Sequence, residues 1–371
     1  MNGLFVGAIY ALIALGYTMV YGVLRLINFA HGEVYMLGAY IALFVSYALG
    51  FAPGSNQEHS SVTNLLIMLL ASMVACAIIG MIIERFAYRP MRSASRTSAL
   101  ITAIGVSLFL QYCGMLFLPY SPPPSISEKV NPYGGSRVVT LIPPPSDLSA
   151  RIATAQPIAD KADGAYSAYL AAHPSANEFS LPPDGQALKD AKQTADGALL
   201  DAKDAANAKS VSVTVRYGDL IIFATSILLM IILTYLVMYT KQGRAMRAVA
   251  HDFDSAALMG VNVNNIITFT FALGSALAGA GAMMQATFKG TTITTFFGLL
   301  PGVKAFVAAV LGGIGNIPGA VLGGLLMGMA ETLVTWLGYS RWSDGVAFII
   351  LIGVLLVRPG GLLGSAKVEK V

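Results

Sequence analysis

The chain has 371 residues, of which 56% are hydrophobic and only 11% are charged. Soluble globular domains carry about 25% charged residues, so this composition excludes an ordinary soluble domain and predicts an all-α polytopic membrane protein. The net charge of +4 comes mostly from short loops between apolar stretches, so it reports membrane topology and no nucleic-acid partner is expected. Cys76 and Cys113 both fall in apolar stretches, where neither a disulfide nor a metal site is expected.

Several apolar windows are long enough to cross a hydrocarbon core of roughly 30 Å, which takes about 20 residues as a helix. In chain order they are residues 4–24, 26 or 34 to 51, 62–83, 99–118, 220–239 and 266–284. A last apolar region, residues 296–357, is interrupted at residues 312–319 and 339–343 and holds one to three crossings. The total is seven to nine spanning helices, some of them broken.

Lys and Arg concentrate in three segments, and short basic loops stay in the cytoplasm. The segments contain Arg85, Arg89, Arg92 and Arg96; then Lys241, Arg244 and Arg247; then Arg358, Lys367 and Lys370. If all three lie on one side, the N-terminus is outside, the C-terminus is cytoplasmic and the number of spans is odd. Residues 51–61 and 119–217 then lie outside the membrane.

Residues 119–218 separate an N-terminal transmembrane segment, residues 1–118, from a C-terminal one, residues 219–365. Their composition is rich in Pro, Ala, Asp and Lys, with too few large apolar side chains to build much of a core. Residues 185–209 favour helix by propensity. The insertion is therefore expected to be a solvated helical arm or a flexible loop.

The basic stretch at residues 242–262 sorts into two faces at 100° per residue and predicts one amphipathic helix over residues 243–260, ended by Gly260. The apolar face has Met246, Val249, Ala250, Phe253 and Ala257; the polar face has Arg244, Arg247, His251, Asp254 and Ser255. Such a helix either lies on the membrane or docks into a partner, or it merely joins two spans.

A second polar cluster, Asn28, His31, Gly32 and Glu33, interrupts the apolar stretches near the start of the chain. One interpretation is a cytoplasmic turn beside Arg25 whose polar groups reach water. The other is a second helix that begins near Leu26 and is broken at Gly32, which would place the cluster on a transport path or gate.

The glycine run at residues 312–319 also has two interpretations. It is either a plain turn between short spans or a discontinuous helix whose free backbone groups face the pathway, with Gly312, Gly313 and Gly315 at the break. Isolated polar residues in apolar surroundings, Gln111, Gln285 and Glu331, predict hydrogen bonds between helices.

The sequence lacks a nucleotide-binding phosphate loop, a His-Glu-x-x-His zinc motif and a Gly-x-Ser-x-Gly nucleophile turn. The chain is therefore not expected to be an enzyme, and we expect neither a cofactor nor a metal site. Any ATP that drives it is expected to be hydrolysed by another chain.

Six blocks of sequence occur in the same order as in a known family. They are residues 8–17 (AIYALIALGY), 27–33 (INFAHGE), 84–90 (ERFAYRP), 243–248 (GRAMRA), 256–262 (AALMGVN) and 308–319 (AAVLGGIGNIPG). The chain thereby resembles the H-type permease of branched-chain amino acid ABC importers over residues 4–118 and 219–365.

The resemblance implies a translocation subunit of the bacterial plasma membrane that imports leucine, isoleucine and valine by alternating access. It also implies an M-type permease partner, two ATP-binding cassette subunits and an extracytoplasmic substrate-binding protein. Urea or short-chain amides are alternative substrates because that permease family also includes their importers. An ion-coupled secondary transporter is a further alternative, with Glu33 or Glu331 as the coupling carboxylate.

In this family the coupling loop to the ATPases corresponds to residues 256–260 of this chain. Arg244 and Arg247 would then face an ATPase, while Ala256, Ala257 and Gly260 would permit close approach. Ser255 departs from the glutamate often found there. Two further departures are the insertion of about 100 residues and a first span that begins almost at Met1, so the natural start is expected to lie upstream.

Overall fold

The computed structural model describes residues 2–54, 60–92, 94–121, 123–133, 135–143, 145–173, 181–209 and 211–364. The chain forms two compact units. The transmembrane unit comprises Met1–Gly135 and Arg216–Val371, and the insertion unit comprises Ser136–Val215. Lys367 and Lys370, which we assigned to the cytoplasm, lie outside the described residues.

Fourteen α-helices are formed by the described residues. They are α1 (Asn2–Leu24), α2 (His31–Ala48), α3 (Val62–Ile83), α4 (Arg89–Met91), α5 (Arg96–Phe117), α6 (Ser146–Ala172), α7 (Pro183–Lys209), α8 (Tyr217–Tyr239), α9 (Lys241–His251), α10 (Phe253–Leu258), α11 (Val263–Phe288), α12 (Leu299–Gly312), α13 (Ile317–Trp336) and α14 (Ser343–Val357). A π-helix, Glu84–Tyr88, joins α3 to α4, and two 3₁₀ helices are Glu128–Val130 and Ser340–Trp342.

The fold confirms the expected all-α membrane architecture. Within the described residues, seven helices are long and apolar enough to span a membrane: Asn2–Leu24, Val62–Met91, Thr97–Phe117, Tyr217–Tyr239, Val263–Phe288, Ile317–Trp336 and Ser340–Val357. Two further helices of this unit, α2 and α12, have 18 and 14 residues. At 1.5 Å per residue they extend about 27 Å and 21 Å.

The core of the transmembrane unit is built around α1 and α11, which are buried on nearly all sides. A spanning helix with no lipid-facing side needs small residues where its neighbours approach. Gly3 and Gly7 of α1 accordingly lie against Gly324 and Gly328 of α13. The peripheral helices α5, α8 and α14 expose mostly apolar side chains, as expected of surfaces that face lipid or another membrane subunit.

The second helix differs from one of the two interpretations of its start. One of our two interpretations had it begin near Leu26 and break at Gly32, but α2 begins at His31 and is continuous to Ala48. The chain leaves α1 at Arg25, whose φ of 54° lies in the left-handed region. The residues that follow are not helical until the backbone carbonyl of Asn28 accepts a hydrogen bond from the His31 amide at 3.2 Å.

The insertion unit contains two helices packed side by side, α6 and α7, and a two-stranded sheet of β1 (Ser136–Ile142) and β2 (Val211–Arg216). The helix predicted over residues 185–209 is confirmed by α7. We did not predict α6, which has Pro157 in its interior, nor the two strands. An ion pair between Lys192 and Asp163 joins the helices.

The compact insertion unit, Ser136–Val215, is shorter than the insertion that we expected at residues 119–218. Residues before Ser136 belong to the transmembrane unit, where Ile126 and Val130 are buried. Their backbone is also tied to that unit, because the Ile293 amide donates to the Pro124 carbonyl at 2.7 Å.

Candidate functional site

The amphipathic segment folds as two helices, so the prediction of one helix over residues 243–260 is wrong. The break is at Asp252, whose extended backbone cannot continue a helix and whose carboxylate accepts a hydrogen bond from the Ser255 amide at 2.7 Å. Donation from this amide lowers the pKa of Asp252 below its ordinary value, which keeps the cap charged. We call residues 241–260 the elbow.

The break changes which residues face the transmembrane unit. Met246 and Val249 of α9 are buried, as their apolar periodicity predicts. Phe253 and Ala257, which we placed on the same face, are exposed, and Ala256 is buried instead. The chain changes direction at Asp252, so the helical periodicity of α9 does not extend into α10.

The two arginines of the elbow have different surroundings. Arg247 donates through its guanidinium to the backbone carbonyls of Val237 and Met238, the latter at 3.3 Å, and so satisfies the C-terminal end of α8. Both residues are exposed, but Arg244 makes only a long contact of 3.4 Å to the Tyr239 carbonyl. Arg244 is therefore the one more available to another protein.

Two apolar side chains of the elbow were missed from the sequence. Leu258 is 88% exposed and Met259 is 84% exposed, immediately before Gly260, where a φ of 83° turns the chain towards α11. An L-residue other than glycine is strained at that φ. Adjacent exposed apolar side chains are typical of surfaces that contact a protein or a membrane. The sequence did contain a signal for their exposure, because these two apolar residues do not continue the apolar face of α9.

The polar cluster near the start of the chain is buried, which contradicts the interpretation as a turn in water. Asn28, His31 and Glu33 are 2%, 1% and 2% exposed. The Tyr88 hydroxyl donates to Asn28 Oδ1 at 2.8 Å, and the Ser107 hydroxyl donates to Glu33 Oε1 at 3.3 Å. His31 Nε2 and Glu33 Oε2 have no hydrogen-bond partner among the described residues.

The first turns of α2 and α12 meet beside this cluster. A side chain at Gly298, just before α12, would overlap the carbonyl oxygen of Gly32, so two glycines are required for the approach. Each helix N-terminus carries partial positive charge. The cluster thus lies where two such ends converge inside the protein.

The glycine run is a turn between α12 and α13. Gly312 ends α12, and Gly313 and Gly315 have φ of 104° and 93°. The carbonyls of Leu311 and Gly312 accept hydrogen bonds from the amides of Leu362 and Leu363, at 2.8 and 3.0 Å. These carbonyls at the end of α12 are therefore bound by the C-terminal segment. In this respect the structure differs from the interpretation of a discontinuous helix whose free backbone groups face the pathway.

A cavity of about 1080 Å³ lies beside this turn and beside the elbow. Gly315 lines it together with Tyr21, Arg25, Arg247 and Asn316. Gly313 instead lies against Gly361 and Gly364 of the C-terminal segment. The cavity brings together the glycine turn and Arg247, while His31 and Glu33 lie elsewhere in the unit.

Two buried ionic networks were also missed. Glu84, which is fully buried at the start of the π-helix, accepts hydrogen bonds from the Thr268 hydroxyl of α11 at 2.7 Å and from Arg89 at 3.2 Å. It is also paired with Arg92, which donates to Asn264 of α11 at 2.6 Å. This network joins the π-helix to the first turns of the helix that follows the elbow.

The second network is centred on Lys304 of α12. Its Nζ lies 2.8 Å from Glu331 Oε1 and 2.6 Å from Asp344 Oδ1, and the Tyr10 hydroxyl donates to the other oxygen of Glu331 at 2.7 Å. Glu331 was one of two carboxylates considered for ion coupling. Glu331 is on α13 and Lys304 is on α12, so their pairing is the hydrogen bond between helices that we predicted for Glu331.

The sequence comparisons identify the family. The model of a family described as branched-chain amino acid transport system, permease component, matches residues 1–143 and 160–355. The chain belongs to this permease family. It is 38% identical over 371 residues to the high-affinity branched-chain amino acid transport system permease protein BraD of Pseudomonas aeruginosa, covering 100% of this chain and 96% of BraD.

Other relatives show the breadth of this similarity. The permease is 35% identical over 373 residues to the corresponding protein LivH of Escherichia coli, again covering 100% of this chain and 96% of LivH. It is also 29% identical over 158 residues to the autoinducer 2 import system permease protein LsrC of Yersinia pseudotuberculosis, covering 41% of this chain and 45% of LsrC. No solved structure gives a significant match.

Proposed function

We propose that this permease is the H-type translocation subunit of an ATP-driven importer of leucine, isoleucine and valine. It pairs with an M-type permease, binds two ATP-binding cassette subunits and receives substrate from an extracytoplasmic binding protein. Full-length identity of 38% and 35% to two branched-chain amino acid permeases supports the substrate class. The partial similarity to an autoinducer permease is the reason that the substrate requires a direct test.

The elbow carries the proposal of coupling to separate ATPases. It lies between two spanning helices, α8 and α11, and presents Arg244, Leu258 and Met259 outwards. Exposed apolar side chains next to a cation suit a groove on a protein that supplies both apolar contacts and carboxylates. Ala256, Ala257 and Gly260 add little bulk there, which allows the partner to approach the backbone.

The orientation proposed for this subunit puts the elbow in the cytoplasm, the N-terminus outside and the C-terminus inside the bacterial plasma membrane. The basic segments at residues 85–96 and 241–247 support it, because basic loops are retained on the cytoplasmic side. The insertion unit is then extracytoplasmic.

The path or gate is proposed to include Asn28, His31, Gly32 and Glu33, with Gly312, Gly313 and Gly315 at its cytoplasmic end. Buried polar side chains inside membrane proteins are costly and therefore concentrate at functional sites. The unpaired atoms His31 Nε2 and Glu33 Oε2 support a role beyond packing.

The test is reconstitution of the permease with its M-type partner, two ATPases and binding protein in vesicles. Radiolabelled leucine uptake is measured with ATP, with a non-hydrolysable analogue, and with an ion gradient alone. Uptake only with ATP, and competed by isoleucine and valine but not urea, is expected. Uptake by the isolated permease on an ion gradient, or selective uptake of urea, would contradict the proposal.

A further inference from the structure

One face of α5 is made of small and polar residues, although the helix lies at the periphery of the transmembrane unit. The face consists of Ala99, Ala103, Ser107, Gln111 and Gly114, which recur at helical spacing. Only 17% of the spanning window of α5 is buried, and its opposite side exposes large apolar residues such as Ile101 and Phe109. The polar face is therefore the side that meets the protein.

The helix α2 lies opposite this face. The Ser107 hydroxyl donates to Glu33 Oε1 at 3.3 Å, which fixes the register of the two helices. A side chain at Gly114 would lie 3.7 Å from Met36 of α2 and 3.4 Å from Thr295. We call this line of contact between α2 and α5 the seam.

Two atoms of opposite hydrogen-bonding character are unpaired at the seam. Glu33 Oε2 is an acceptor and Gln111 Nε2 is a donor, and neither has a hydrogen-bond partner among the residues that the structure describes. The residues are 2% and 7% exposed. Burying such groups without partners is unfavourable in a low-dielectric interior, so a ligand that satisfies both would be stabilised there.

Two of the other unpaired buried atoms in the described part of the chain have a simpler explanation. Ser226 Oγ and Thr287 Oγ1 are hydroxyls within helices. A helical hydroxyl can rotate to donate to the carbonyl one turn back. A carboxylate oxygen has no proton to donate, and a primary amide is too long to reach its own backbone in this way, so the pair at the seam differs in kind from these two hydroxyls.

The seam is continuous with open space at one end. A cavity of about 320 Å³ is lined by Arg25 and Ile27 on the α1–α2 side and by Thr97 and Ala99 of α5. Ala99 is also the first residue of the polar face. The cavity therefore meets the seam at Ala99, and a solute that leaves the seam at this end would enter it there.

We propose that Glu33, Ser107 and Gln111 form a transient binding site for the zwitterionic backbone of an α-amino acid. Glu33 accepts hydrogen bonds from the substrate ammonium group, and the Gln111 amide donates to the substrate carboxylate. Ser107 holds the second oxygen of Glu33 in place. The aliphatic side chain of the substrate lies along Met36 and Ala103. This inference rests on the proposed function and names the substrate contacts of the same path.

The first experiment uses the complete reconstituted complex with Gln111→Leu and Glu33→Gln variants. Each change preserves volume and removes the donor or the charge. ATP-dependent leucine uptake is expected to fall about 10- to 100-fold, since each variant loses one charge-assisted hydrogen bond. ATP hydrolysis stimulated by the binding protein is expected to continue. Ser226→Ala, which removes an unpaired buried hydroxyl of α8, is the matched control and should transport within about twofold of the unchanged complex.

A second measurement needs no variant, so it does not depend on whether a variant folds. The unchanged complex is irradiated while it transports a diazirine analogue of leucine, and the adducts are mapped by mass spectrometry. Adducts in residues 31–37 and 103–114 are expected. Adducts confined to other helices, or full uptake by both seam variants, would overturn the proposed site. If the unchanged complex still took up leucine with ATP, the proposed function would stand. Absence of that uptake in the unchanged complex would instead reject the proposed function.

Discussion

The Tyr88 hydroxyl donates a hydrogen bond to Asn28 Oδ1 at 2.8 Å, and both side chains are buried. Tyr88 ends the π-helix that begins at Glu84, and Glu84 is bound by Thr268 in the second turn of α11. The π-helix therefore connects the helix that follows the elbow to the residues that precede α2. π-Helical turns are rare and are often found at functional sites.

Tyr88→Phe is expected to uncouple ATP hydrolysis from transport. The change removes one hydrogen bond and leaves the Asn28 amide oxygen unpaired, at a cost of about 1–2 kcal/mol, without altering the ring packing. Leucine uptake should fall several-fold while ATP hydrolysis in the same vesicles continues. Tyr235→Phe, at an exposed position of α8, is the control. Equal leucine uptake by both variants would show that the hydrogen bond of Tyr88 does not couple ATP hydrolysis to transport.

Arg244→Glu is expected to release the ATPase subunits and leave the permease inserted. The Arg244 side chain is exposed on α9, so its reversal changes the docking surface with little effect on the fold. Arg247→Glu should also lower the thermal stability of the permease, because it removes the donor that satisfies the carbonyls of α8. The measurement is co-purification of the ATPases from mild detergent. Unchanged recovery with Arg244→Glu would reject the elbow as the docking surface.

Lys304→Met is expected to destabilise the transmembrane unit by about 3 kcal/mol, because it leaves the buried part of Glu331 without its cation. The double variant Lys304→Met/Glu331→Leu should recover most of the loss, since the one carboxylate that still loses Lys304 is Asp344, whose side chain is half-exposed and reaches water. Thermal unfolding in detergent measures both. If the double variant were as unstable as the single one, the network would stabilise the fold by more than the pairing of Lys304 with Glu331.

Gly298→Ala is expected to prevent the approach of α12 to α2, because the added methyl group overlaps the Gly32 carbonyl. Overpacking of this kind costs about 1–3 kcal/mol or more. The matched control is Gly353→Ala in α14, where a methyl group meets no atom within 4 Å. That change should be neutral or slightly stabilising. Limited proteolysis of the two variants distinguishes them, and equal resistance would show that the junction is open to larger residues.

Asp252→Ala is expected to weaken ATPase binding, since it removes the cap that fixes the angle between α9 and α10, whereas Asp252→Asn retains an acceptor. The folded pKa of Asp252 is lowered by the Ser255 amide. The charged cap is therefore fully present above the ordinary aspartate pKa and is lost only as the pH falls through the lowered value. Co-purification should be the same at pH 6 and pH 8. A loss between these values would show that another group governs docking.

The spanning helices were predictable because their information is local. Twenty consecutive apolar residues identify a crossing wherever its neighbours lie, and the amphipathic periodicity of α9 identified Met246 and Val249 as buried. The break at Asp252 was harder to predict, because an aspartate inside an amphipathic pattern is equally typical of a solvated helical residue and of a helix cap.

The ionic networks could not be predicted, because their partners are far apart in the chain. Lys304 and Glu331 are on different helices, and Glu84 is bound by Thr268 of α11, which follows it by about 180 positions. Similarly, Gln111 was interpretable only as an isolated interhelical hydrogen bond until the contact between Ser107 and Glu33 placed α5 beside α2. The sequence identifies the residue types, and their pairing depends on helix packing.

The C-terminal segment completes the end of a helix that was synthesised about 50 residues earlier. The amides of Leu362 and Leu363 bind carbonyls of Leu311 and Gly312, which α12 itself leaves unsatisfied. During biosynthesis these carbonyls have no such partners until the last part of the chain has left the ribosome. The short helix α12 therefore reaches its final hydrogen bonding only after α13 and α14 have been synthesised, and ribosomal stalling before residue 362 would leave these carbonyls without those partners.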